Sequence, residues 1–250
     1  MITIERFRQI ILLSLPIIGG MISQNILNLA DVAMVGHLGA TALAAVGVGS
    51  FAVFMSQAVV LGLSSGVQAI AARRVGEGVI EQAGISLSAG LVIAVILGGV
   101  MTALIYPFIP FLFSFLNSDT GVRDLGSSYW QIRMFSMIFM GINYAYRGYF
   151  NGIGEPKYYM FSLIFIHILN IALNYVFIFG HFGFDAMGTD GAALASTIAV
   201  VAGSILYMGI GLFGLERLAL FKIRPKLRDI ASVFKLTLPA GFQQFLIAVG

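Results

Sequence analysis

The sequence predicts an all-α, polytopic membrane protein: a six-helix transmembrane bundle with a seventh helix begun before the chain ends. Three observations predict it. Of 250 residues, 59% are hydrophobic and only 10% are charged, against about 25% charged in a soluble domain. Mean hydropathy is +0.96. The apolar residues come in long unbroken runs, not in the alternation of a transmembrane β-barrel. The same numbers exclude a soluble globular domain and a disordered chain. The 30 glycines suit helices packed closely in a bilayer. With 0 cysteines, a disulfide framework, a thiolate metal site and a cysteine nucleophile are excluded.

Six apolar runs are expected near 9–35, 42–67, 84–116, 125–148, 157–181 and 190–213, with a seventh from 231 to the end. A crossing needs about 20 residues, so the longer runs are expected to tilt or kink. Pro16, inside the first run, is the expected kink. That run is too long for a signal peptide and lacks a small-residue cleavage site.

Lysines and arginines set the orientation. Arg6 and Arg8 lie at the N-terminus, Arg73 and Arg74 in the second loop, and Arg147 and Lys157 in the fourth connection. The sixth connection holds Arg217, Lys222, Arg224, Lys226 and Arg228, and Lys235 enters the seventh run. On the other side only Arg123 stands in a loop, while Arg133 lies inside the fourth run. The positive-inside rule then places the N-terminus and the even loops in the cytoplasm. The net charge of +3 reports those loops, and no nucleic-acid partner is expected.

The seventh run echoes the first. Leu13-Ser14-Leu15-Pro16 reads against Leu236-Thr237-Leu238-Pro239, 223 residues on from Leu13 to Leu236, and glycines follow both copies. Six helices between copies imply parallel repeats, as in two-lobed transporters. The expected organisation is a six-helix lobe over 1–213, a cytoplasmic linker over 214–230 and the first helix of a second lobe over 231–250. Two such repeats make a protein of about 450 residues.

Four stretches carry a family resemblance. The first is Asp31-Val-Ala-Met-Val-Gly-His-Leu-Gly-Ala-Thr-Ala-Leu-Ala-Ala-Val-Gly47. The second is Gly62-Leu-Ser-Ser-Gly66 with Ala71-Ala-Arg-Arg-Val-Gly76. The others are Arg147-Gly-Tyr-Phe-Asn-Gly-Ile-Gly-Glu-Pro156 and Gly188-Thr-Asp-Gly-Ala-Ala-Leu-Ala-Ser-Thr197. In this order they resemble the MATE family, the multidrug and toxic compound extrusion transporters. The resemblance implies two six-helix bundles related by pseudo-twofold symmetry, of which this chain supplies one and the start of the next.

Asp31 is the one carboxylate in the interior of an apolar run. A charge there costs at least about 2.5–3.5 kcal/mol and needs a reason. Gln24, Asn28 and Asp31 stand at i, i+4 and i+7, on one helical stripe. A carboxyl whose exposure alternates can exchange a proton, and it can equally ligate Na⁺, which wants oxygen ligands. The fifth run offers a second stripe, His167, Asn170 and Asn174. The resemblance places Asn170 and Asn174 opposite Asp31, an ion-coupling set, with Na⁺ as one candidate ion. The DinF-like branch has an aspartate at the second of these positions, and here it is Asn174. The NorM-like branch has a glutamate on helix seven, where this sequence has Gln243 and Gln244. Gln24, Asn28, Gln57, Asn143, Tyr144 and His167 are expected to line the substrate cavity, with Ser196 and Thr197 adding hydroxyls. Packing and interhelical hydrogen bonding account for the same residues. For Arg133, snorkelling towards headgroups is an equal explanation.

No His-Glu-x-x-His, paired membrane aspartates or P-loop is present, so neither an intramembrane enzyme nor ATP use is expected. A lipid-linked oligosaccharide flippase of the same superfamily is disfavoured by the single intramembrane basic residue, Arg133. The expected protein is an antiporter of the bacterial inner membrane. It exports amphipathic, cationic organic compounds for H⁺ or Na⁺, without cofactor, and acts as a monomer when full length.

Overall fold

In the computed structural model, residues 4–213 and 223–249 are described. The arginine and lysine at 217 and 222, and most of the expected 214–230 linker, lie outside them. Every regular element among the described residues is helical: α1 (Ile4–Gly36), α2 (Ala40–Gly76), α3 (Ile80–Ile105), α4 (Ile109–Leu116), α5 (Thr120–Met134), α6 (Met137–Gly152), α7 (Pro156–Phe179), α8 (Gly188–Phe213) and α9 (Leu227–Val249). A 3₁₀ turn, Tyr106–Phe108, joins α3 to α4.

The all-α membrane fold expected from the apolar runs is what the chain adopts. Six helical stretches are long and apolar enough to cross a bilayer, with α3 and α4 counted as one. The α5–α6 pair makes a further crossing from two pieces, each too short to span alone, with 15 and 16 residues. At 37 residues, α2 rises about 55 Å. It therefore overshoots the roughly 30 Å hydrocarbon core and carries Arg73 and Arg74 in its last turn. Those two arginines line a small pocket with Asp229 of α9, so the end of α2 and the start of α9 meet at the Arg-rich face. The α1–α2 turn is tight because Gly39 takes a φ of 102°, open to glycine at little cost.

Two expected continuous runs are interrupted. The third bends through its 3₁₀ turn, where Pro107 and Pro110 remove backbone donors. The fourth breaks at Phe135 and Ser136, with neither proline nor glycine at the break. The carbonyls freed there are taken up by hydroxyls from other helices. Thr197 of α8 donates to the Ile132 carbonyl at 3.3 Å, and Thr102 of α3 donates to the Met134 carbonyl at 3.2 Å. Ser136 caps the Arg133 carbonyl at 2.7 Å. In hydrocarbon an open helix turn is tolerated only with such replacements.

The repeat has a structural counterpart. Pro16 and Pro239 each lie inside a helix, and each stands 12 residues beyond the first residue of its helix, Ile4 or Leu227. α9 therefore begins four residues before the expected 231, at Leu227. It is held along α2. A Cβ on Gly62 would collide with the backbone of Thr237 and Gly241, and one on Gly241 with the backbone of Val59. Gly62 and Gly66, four apart on α2, thus form the small-residue seam that lets two backbones touch. A seventh helix without its own bundle is expected to be the least buried span. Instead α1 is, with 11% of its most apolar stretch buried against 17% for α9.

Candidate functional site

Inside the bundle α1, α2, α5, α6, α7 and α8 enclose a cavity of about 540 Å³. Neither α3 nor α9 contributes a lining residue. Gln24, Asn28 and Asp31 reach it from α1, Gln57 from α2, Asn143 and Tyr144 from α6, and His167 and Asn170 from α7. All six residues expected in the cavity therefore line it. Asn174 stands immediately behind Asp31.

The Asp31 carboxylate is the junction of α1 and α7. Asn174 donates to Asp31 Oδ1 at 2.6 Å. With its amide oxygen turned to Ser196, Asn170 also donates to Asp31 Oδ1, at 3.2 Å, and accepts from the Ser196 N–H at 3.1 Å and its hydroxyl at 2.8 Å. The opposite orientation would set two acceptors against each other. Asn170 and Asn174 are 3% and 1% exposed, so the carboxylate's partners are shielded from lipid. An intramembrane charge with such partners is the arrangement expected of a functional group.

The other polar residues differ in what remains free. Gln24 donates to Asn28 at 3.0 Å, one turn apart on α1. His167 bonds through Nδ1 to the Ser23 hydroxyl at 2.7 Å, a second α1–α7 tie. Asn143 spends its amide on α8: it donates to the Val200 carbonyl at 3.1 Å and accepts from Ser204 at 2.8 Å. Gln57 Oε1 is buried without a partner. Thr197 is occupied at the α5 break.

Two basic residues are placed differently from the sequence expectation. Arg147 is not in a loop but inside α6, lining the cavity with its guanidinium 5.2 Å from the centre of the Tyr159 ring. Arg133 does not snorkel. It lines the cavity in the last turn of α5, with Nε and Nη1 buried and unpartnered among the described residues. Among the described lining residues the cavity thus holds one carboxylate, Asp31, and two guanidiniums. Ser50 and Tyr129, also in the lining, were not singled out from the sequence and bond each other at 3.2 Å. Isolated hydroxyls in apolar helices carry no signal that would have found them.

A family model described as MatE matches residues 16–176. The chain belongs to the MatE family. Over 248 residues it is 27% identical to "Probable multidrug resistance protein NorM" of Thermotoga maritima, covering 97% of this chain and 53% of that protein. The like-named protein of Rhizobium meliloti is 31% identical, over 81% of this chain and 43% of its own length. Among solved structures, an outward-facing multidrug resistance MATE family transporter of the MOP superfamily superposes with a TM-score of 0.86 at 26% identity, over 96% of this chain and 53% of that one. A MOP superfamily transporter from Pyrococcus furiosus gives 0.82 at 28%, over 96% and 52%. The chain spans about half the length of the curated relatives it matches. MatE proteins of this kind are transporters, not enzymes.

Proposed function

We propose that the protein containing this chain is a secondary antiporter of the bacterial inner membrane. It exports amphipathic organic compounds with a cationic centre in exchange for H⁺. The observation that carries this is Asp31, a carboxylate held by Asn170 and Asn174 at the wall of a cavity of about 540 Å³. Residues 1–213 act as one lobe, 214–230 as the linker and 231–250 as the start of a second lobe, with a bend at Pro16 and a monomer as the working unit. Relatives named for multidrug resistance support efflux as the activity.

The carboxamides favour a proton over Na⁺. They turn N–H groups towards Asp31, which suits a carboxyl that gains and loses a proton in place. Protonation of Asp31 turns a charge-assisted tie between α1 and α7 into a neutral, weaker one. α1 is the least buried span, so it is the element freest to respond. Substrate and proton compete for the same group, and the two lobes alternate around the cavity.

Asp31→Asn tests the assignment because it keeps the shape and removes the proton site. The variant should reach the membrane at normal levels and lose efflux of a fluorescent organic cation from everted vesicles. Efflux at the native rate would end the reading.

A further inference from the structure

We infer that Arg133 makes the cavity select compounds bearing an oxyanion, so that the preferred cargo is a zwitterionic amphiphile rather than a simple organic cation. The inference rests on the antiporter reading and narrows its substrate class. Arg133 stands eight residues beyond position 125, where the fourth apolar run begins, about 12 Å of helical rise. The residue lines the cavity, and its Nε and Nη1 are buried and meet no acceptor among the described residues. The ion pairs found among those residues are Arg73–Glu77, Arg74–Glu77 and Lys157–Glu155, all remote from it. Asp31, on the same cavity, feels the charge of Arg133 but makes no ion pair with it among the described residues, its hydrogen bonds going to the α7 carboxamides.

A buried guanidinium with open donors is costly, and each such group asks for an explanation. The helix break supplies the local one. Because α5 ends at Met134 and turns at Phe135, Arg133 sits at a helix terminus whose carbonyls are covered from α3 and α8. The guanidinium offers an oxyanion planar, directed N–H donors, where lysine offers only a point charge. Arg147 adds a second positive charge to the same wall, stacked on Tyr159. With two guanidiniums and one carboxylate around it, a bare cation meets a lining of net positive charge. A compound carrying both signs places its cation towards Asp31 and its oxyanion on Arg133.

The test uses one xanthene dye in two forms: with its pendant carboxyl free, and as the methyl ester. Binding of each to the purified full-length protein is read by fluorescence anisotropy in detergent. The native protein should prefer the acid by about ten- to a hundredfold, the worth of hydrogen bonds to a charged group. Arg133→Gln should erase most of that preference, and Arg133→Lys should leave an intermediate one. A native protein that prefers the ester, or binds neither dye, overturns the inference. So does a preference unchanged in Arg133→Gln, or a Gln variant that weakens both dyes equally, the result if Arg133 serves only the packing of α5. Ion-driven exchange is measured separately in liposomes. Its failure with the acid–ester preference intact would count against the antiporter reading and leave the role of Arg133 standing.

Discussion

Asp31 is legible in the sequence because hydrocarbon makes a carboxylate conspicuous. Its stripe with Gln24 and Asn28 is real, yet those two bond each other and Asp31 takes its partners from α7. Helical spacing identifies which residues share a face, and only the packing of α1 on α7 decides which faces meet. The helical placement of Arg147 is not legible in the sequence for a related reason. The residue lies at the end of an apolar run, where a loop and a last helical turn look the same, and α6 continues to Gly152. These residues bear on the ion. With carboxamide N–H groups turned to Asp31, an imposed pH gradient should drive uptake of a fluorescent organic compound into Na⁺-free liposomes holding the full-length protein. Transport that appears only on adding Na⁺, and is indifferent to the pH gradient, would reverse the assignment.

The number and order of helices could be read from hydropathy because every backbone group in a bilayer must be satisfied within its own segment. The α5–α6 break could not. Helix interruptions are announced by proline or glycine, and Met134-Phe135-Ser136-Met137 contains neither. What permits it is tertiary: threonines far away in sequence, each donating to an exposed carbonyl. Thr102 and Thr197 are ordinary residues until α3 and α8 are placed. Replacing both with valine keeps their shape, leaves the Met134 carbonyl short of a donor and leaves the Ile132 carbonyl only the long bond from the Phe135 N–H at 3.3 Å. Each loss costs about 1–3 kcal/mol when the group stays buried. The double variant Thr102→Val/Thr197→Val should therefore unfold at a clearly lower temperature in detergent than the native protein, with each single change giving part of the loss. Equal melting of all four proteins would mean that water, not these hydroxyls, covers the break. The bend at α3–α4, in contrast, is written in Pro107 and Pro110.

The molecule as a whole joins a repeat, a seam and an open wall. The prolines of α1 and α9 occupy the same place in their helices, and the chain covers 53% of its Thermotoga relative. α9 does not stand apart from the first bundle: Gly62, Gly66 and Gly241 bring its backbone against α2. In the two-lobed reading proposed above, that seam would join the second lobe to the first along a fixed line. α1, across the cavity from α2, remains largely unburied and displays Gln24 and Asn28. Polar groups of this kind are expensive against lipid, and alternating access needs a second body to close the cavity. Residues 1–250 expressed by themselves should therefore insert in the membrane and fail to exchange drug for ion. Activity should return when a second MatE lobe is supplied, either in one chain or as a co-expressed half. The measurement is efflux from vesicles, with the number of chains per particle determined by light scattering in the same detergent. Robust exchange by monomers of the 250-residue chain would show that one lobe suffices, and that the α2–α9 seam is packing rather than the axis of a two-lobed transporter.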